Sequence, residues 1–220
     1  MDIARFESLG DNCEFGFVMA RHQPKKSSLL RWALTPFPVL TRLLRDDFKD
    51  LYQFENLEPT SPKMLLDRGT GVRFHTDMVR DSVFVEDHKA VYEKEIHKVA
   101  HLRQRLEEQL QNPDMIFVYK GRQELPKAEL QTLADLVSRR GGAQLLYVTA
   151  KGDLPPGSVE AHGDNLHIAR IDRFADYATA NVTSEAVWDQ ILENASIKIA
   201  PRARSASDMP GSKPAGQETS

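Results

Sequence analysis

The chain holds one cysteine, Cys13, in the stretch SLGDNCEFG. A thiolate is a strong nucleophile, and the N-terminus of a helix lowers a thiol pKa through its dipole and free N–H groups. The spacing places Cys13 in such a position. Asp11 reads as a helix cap and Glu14, three residues on, as the reciprocal partner of a capping box. Asn12 and Cys13 then become the first two helical residues. The amides of that first turn could hold an oxyanion. Asp11 and Glu14 oppose a thiolate unless their charges are engaged in capping bonds. The competing reading is a small buried residue that packs beside Gly16.

A cysteine nucleophile needs a base. His75, in the stretch GVRFHTD, is the candidate, and Asp77 would orient it if both side chains leave one side of a strand. Further polar residues follow other expected strands. Asp11 and Asn12 follow the first, Lys120 closes MIFVYK, and Asp172 and Arg173 follow NLHIARI. In an open parallel sheet such strand ends are where ligands bind. These five are candidate binding residues, and Asp172 is a second candidate to orient His75. The rim would gather thiol, imidazole, carboxylates and lysine only if GVRF joins the first strand's sheet in the same direction.

Other chemistries find less support. His97 and His101 have the i, i+4 spacing of a zinc site, but Lys98 stands where a metalloprotease would carry glutamate, and both lie off the apolar stripe of their helix. They read as a solvated face, and no metal ligands are assigned. His22 reads as a buried histidine with satisfied hydrogen bonds. There is no G-x-G-x-x-G and no P-loop, and no cofactor is expected.

The elements that must position these residues follow from periodicity. Ile3 to Leu9 reads as a first strand, followed by the Cys-bearing helix to about His22, apolar on two faces and so central. Thr35-Pro36 starts a second helix. Short strands are expected between Leu51 and Asp77. The longest helix runs from about Glu86 to Gln111, with Tyr92, Ile96, Val99, Arg103, Leu106 and Leu110 on one stripe. Met115 to Tyr119, Ala143 to Thr149 and Asn165 to Ile171 are apolar runs that read as buried strands. A helix from Pro126 to Arg139, ended by Gly141-Gly142, separates the first two. Ser184 caps a last helix. Strand–helix–strand with continuous apolar strands implies an α/β fold: a largely parallel sheet flanked by helices, Rossmann-like and three-layered.

The 220 residues suit a single α/β domain over 1–199 with a disordered tail over 200–220, since PRARSASDMPGSKPAGQETS holds little that could be buried. The chain is 40% hydrophobic and 28% charged, with a net charge of −3. That balance makes no electrostatic case for nucleic acid or an anionic membrane. No apolar stretch is long enough to span a bilayer, and MDIARFESLG lacks a signal peptide's pattern. One cysteine cannot form an internal disulfide, so a cytoplasmic location is expected.

The combination SLGDNCEFGFVMARH, SLLRWALTPF, DDF and FHTDM resembles a bacterial family of unknown function described as papain-like cysteine peptidases. The similarity spans roughly 6–149 and is most specific around Cys13. It implies a cysteine hydrolase or acyl transferase acting on a small-molecule or peptide substrate. Cys13 is then the nucleophile, His75 the base and Asp77 the orienting residue. The alternatives are a binding or transferase module for a nucleotide-sugar or other phosphorylated ligand, and a non-catalytic interaction domain.

Overall fold

A computed structural model describes residues 1–23 and 25–200. The expected tail, apart from residue 200, lies outside the described residues. Along the chain, β1 (Phe6–Ser8) leads to α1 (Glu14–His22), β2 (Ala33–Leu34) and α2 (Phe37–Arg45). Next come β3 (Leu57–Ser61), β4 (Met64–Asp67), β5 (Arg73–His75), β6 (Val79–Arg80) and β7 (Val83–Phe84). The long α3 (His88–Leu110) precedes β8 (Ile116–Gly121), α4 (Lys127–Ser138), β9 (Gln144–Thr149), β10 (Val159–Ala161), β11 (Leu166–Arg170) and α5 (Glu185–Lys198).

The fold is mixed α/β. Its main sheet has the order β1-β8-β9-β11-β10, parallel throughout except for the antiparallel edge strand β10. Strands β8 and β9 are buried along almost their whole length, as expected of continuous apolar runs covered on both faces. Their side chains alternate between two clusters. Ile116, Val118, Leu146 and Val148 pack with Phe15, Val18 and Met19 of α1 and with Trp188, Ile191 and Leu192 of α5. Phe117, Tyr119, Leu145 and Tyr147 pack with Leu40, Leu43 and Leu44 of α2, Leu106 and Leu110 of α3, and Leu130, Leu133 and Val137 of α4. Each fully buried Leu, Val, Ile or Phe contributes roughly 1.5–3 kcal/mol of transfer free energy.

Helix ends follow local chemistry. Pro36 precedes α2 and Pro126 precedes α4, each leading the chain into the first turn. Gly142 takes φ +86°, and its N–H donates to the Ser138 carbonyl, so the Gly-Gly stop after α4 is as expected. Arg103, the polar exception on the α3 stripe, pairs with Glu107 one turn on at 2.9 Å.

Two expectations are corrected, and one condition fails. The first strand is only Phe6–Ser8, because Ile3–Arg5 forms a 3-10 turn anchored by Asp2. The capping box does not form. Cys13 itself is the N-cap residue, and the Asn12 side chain accepts the Glu14 N–H at 2.9 Å. Asp11 and Glu14 are instead drawn to a cation from β8. Finally, the condition for a single rim gathering thiol, imidazole, carboxylates and lysine is not met, because GVRF does not join the main sheet: β5 belongs to an antiparallel sheet of order β2-β5-β4-β3. Connections as short as 62–63 and 68–72 can turn a chain back but cannot make the crossover that parallel pairing needs.

Candidate active site

The turn after β1 is held from several sides. Leu9 N–H donates to the Val118 carbonyl at 3.0 Å, and Thr35 N–H donates to the Gly10 carbonyl at 2.6 Å. The Thr35 hydroxyl donates to the Leu9 carbonyl at 2.7 Å. Gly10 has φ +72°, and a Cβ there would lie 2.5 Å from the Leu30 carbonyl oxygen, so both conformation and space require glycine. This turn delivers Asp11, Asn12 and Cys13 to the start of α1.

Gly16 has a related role. A Cβ at this position would meet the Arg31 carbonyl oxygen at 2.5 Å and the Trp32 ring at 2.9 Å. The space beside Cys13 is therefore filled by the segment before β2. Arg31 is buried, its guanidinium donating to the Gly16 carbonyl at 3.2 Å and to the Lys26 carbonyl. Trp32 is thereby seated next to Cys13, and the thiol donates to the Trp32 carbonyl at 3.8 Å.

Lys120 is the electrostatic centre of this region. Its side chain is 2% exposed, yet its Nζ lies 2.9 Å from Asp11 Oδ2 and 3.3 Å from Glu14 Oε2. The Asp11 contact is a hydrogen bond, while the Glu14 contact pairs charges without hydrogen-bond alignment. Glu14 Oε1 accepts the Trp188 indole N–H at 3.1 Å, and the ammonium also stands 4.6 Å from the centre of the Phe174 ring. Two carboxylates and a ring face thus satisfy one buried cation. Burial pushes the Cys13 thiol above its usual pKa, and the Lys120 charge offsets only part of that. Free Cys13 is a neutral thiol at pH 7.

His75, the last residue of β5, is exposed. Cys13, the N-cap of α1, and His75, at the end of β5 in the antiparallel sheet, line one cavity of about 440 Å³, walled by Phe17, Trp32, Tyr177 and neighbours of Tyr177 up to Asn181. Asp77 does not line it. Strand β5 ends at His75, so the strand rule that would align the two side chains does not extend to Asp77. Among the described residues no hydrogen bond or ion pair joins Asp77 to His75. The segment is fixed from below by Glu95 of α3, whose carboxylate accepts from the Tyr52 hydroxyl (2.5 Å), the Thr76 hydroxyl (2.8 Å) and the Asp77 N–H (3.2 Å).

The remaining candidates lie elsewhere. Asp172 and Arg173 are exposed after β11. Desolvation pulls the Asp172 carboxyl up, but hydrogen bonds from Ser184 and from the Arg173 backbone, with the Arg173 charge, hold it below the usual range. Ser184 does occupy the N-cap of α5, but makes no side-chain capping bond there. The Arg173 guanidinium donates to the Val182 carbonyl at 3.4 Å. His97 and His101 are exposed on α3, and no cluster among the described residues has the ligands to hold a metal. His22 is half-buried and shares Asp189 with Arg21. No helix among the described residues is long and apolar enough to cross a membrane.

Sequence reasoning missed the aromatic walls. Phe17 shares a helix face with Cys13 and was legible as its neighbour, but Trp32 sits in a segment without clear periodicity. Tyr177 and Asn181 fall in an aperiodic stretch before α5, where no sequence pattern marks them. No family model, curated protein or solved structure matches the chain.

Proposed function

We propose that this chain is a cysteine-dependent hydrolase or acyl transferase of the papain-like peptidase kind, with Cys13 as nucleophile and His75 as base. The observation that carries this is the placement of the only thiol, at the N-cap of α1, and an exposed imidazole, at the end of β5, on the wall of one cavity. The five-stranded sheet serves in this reading as a Rossmann-like three-layer core, supported by the apolar clusters on its two faces. A reducing, cytoplasmic setting would keep the lone thiol free.

The chemistry begins from a neutral thiol. As a substrate carbonyl approaches Cys13 Sγ, His75 takes the thiol proton while the C–S bond forms and the carbonyl π electrons move onto oxygen. The first-turn amides of α1 beyond Glu14, whose N–H Asn12 holds, meet that developing charge with the positive end of the helix dipole. Collapse of the intermediate expels the amine or alkoxide, which takes its proton from His75. Water, deprotonated by His75, then cleaves the thioester, or a second acceptor takes the acyl group. Asp77 stays the candidate orienting carboxylate because it shares the Glu95-anchored segment with His75. Asp11, Asn12 and Lys120 shape the nucleophile turn.

The phosphorylated-ligand reading has less behind it, since Lys120 is already balanced by Asp11 and Glu14. The test is turnover of a panel of fluorogenic peptide amides and aryl esters by the wild-type chain, Cys13→Ser and His75→Ala. The proposal expects activity that Cys13→Ser abolishes and that His75→Ala lowers by about 10²–10⁴-fold. Activity that survives Cys13→Ser would overturn it.

A further inference from the structure

We infer that the Cys13 cavity selects an uncharged acyl group carrying an aromatic or similarly flat apolar side group. This rests on the proposed chemistry at Cys13 and names the substrate class for it. The wall is built from Phe17, Trp32, Tyr177, Ala178 and Ala180, with Asn181 supplying an amide. No Asp, Glu, Lys or Arg side chain lines the cavity. Burial, followed by the negative charge of Asp11, pushes the Tyr177 phenol up, so it too stays neutral.

The rings are arranged to receive a flat group. Phe17 and Trp32 meet edge to face, with centroids 5.0 Å apart and planes at 72°. Phe17 is 36% exposed and Tyr177 57% exposed. Large apolar side chains left open around a cavity gain free energy when a ligand covers them. The Tyr177 ring is backed by the Arg122 guanidinium at 4.9 Å, whose own bonds include one to the Ala175 carbonyl, so the ring is braced from outside the cavity. A charged side group would lose water here and find no Asp, Glu, Lys or Arg side chain in the lining to pair with. At about 440 Å³ the space takes a single amino-acid-sized group with its carbonyl near Sγ.

The test measures binding without chemistry, by NMR titration of Cys13→Ala with N-acetyl-phenylalaninamide, N-acetyl-glycinamide, N-acetyl-aspartamide and N-acetyl-lysinamide. Cys13 makes no side-chain capping bond, so the variant keeps the start of α1. The phenylalanine amide should bind at least tenfold more tightly than the other three, and Phe17→Ala, at an exposed ring, should weaken it at least fivefold. Equal binding of all four amides, preference for a charged one, or no effect of Phe17→Ala would overturn the inference. The chemical proposal fails separately: selective binding to Cys13→Ala with no turnover by the wild-type chain would reject catalysis and retain the aromatic pocket.

Discussion

Lys120 Nζ lies 2.9 Å from Asp11 Oδ2 and 3.3 Å from Glu14 Oε2, so the end of β8 grips the chain on both sides of Cys13. The charges of the two carboxylates that flank Cys13 are partly offset by one cation on the neighbouring strand. Structure and electrostatics of the turn around Cys13 therefore depend on one side chain.

Replacing that side chain should be costly. Lys120→Met keeps the length of the stem but leaves Glu14 fully buried beside Asp11 without a counter-charge. Breaking a buried pair in this way costs about 3–5 kcal/mol. Urea denaturation should show that loss. A change under about 1 kcal/mol would mean that Asp11 and Glu14 find other partners or water.

Cys13 reactivity should follow its raised pKa. Burial keeps the thiol protonated, so alkylation by iodoacetamide at pH 7 should be slower than that of a free thiol and should keep rising beyond the ordinary cysteine range of about 8.5. A rate already at its plateau below pH 7 would indicate a preformed thiolate and exclude the general-base route described above.

Glu95 acts on His75 only through the backbone it fixes. Glu95→Ala leaves the Tyr52 and Thr76 hydroxyls and the Asp77 N–H without their common acceptor. Loss of hydrogen bonds to a charged group costs about 1.5–3 kcal/mol each when unrelieved. The expectation is a lower thermal midpoint and a fall in kcat with little change in KM. Glu95→Gln, which keeps an acceptor oxygen, should restore most of both. A variant that loses stability but turns over normally would remove Glu95 from any positioning role.

The acid side of the stability profile should carry a mark from His167. Burial, with a smaller contribution from His162, lowers its pKa, and its Nε2 pairs with Gln144 Oε1 at 2.9 Å. The unfolded chain therefore takes up this proton more readily than the folded one. The associated stability is complete above about pH 6.5 and is lost as pH falls through that value toward the depressed folded pKa. Subtracting the stability curve of His167→Gln from that of the wild-type chain should isolate the loss. A difference that is flat between pH 5 and 7 would contradict it.

Much of this was legible in the sequence because the main sheet is written in continuous apolar runs. MIFVY, AQLLYVT and NLHIARI could only be buried strands, and the helix between the first two declared its start and stop with Pro126 and Gly142. Cys13 was placed near a helix start for the same kind of local reason. The partners of Asp11 and Glu14 were not legible, because capping-box spacing cannot reveal a lysine that arrives from β8. His75 was picked out by residue type and resemblance, while the reason it shares a cavity with Cys13 lies in how an antiparallel sheet docks against the main one. Trp32 and Tyr177 had no periodic pattern to mark them, and β10 was too short and too exposed to stand out.

The most direct measurement of the central claim is a stopped-flow burst with p-nitrophenyl phenylacetate at pH 7.5, followed by intact-mass and peptide mapping. The account predicts about one equivalent of rapid nitrophenolate release and a phenylacetyl adduct on Cys13, absent in Cys13→Ala. In His75→Ala the burst should slow by about 10²-fold or more. No burst, an adduct on another residue, or an unchanged burst rate in His75→Ala would contradict the account.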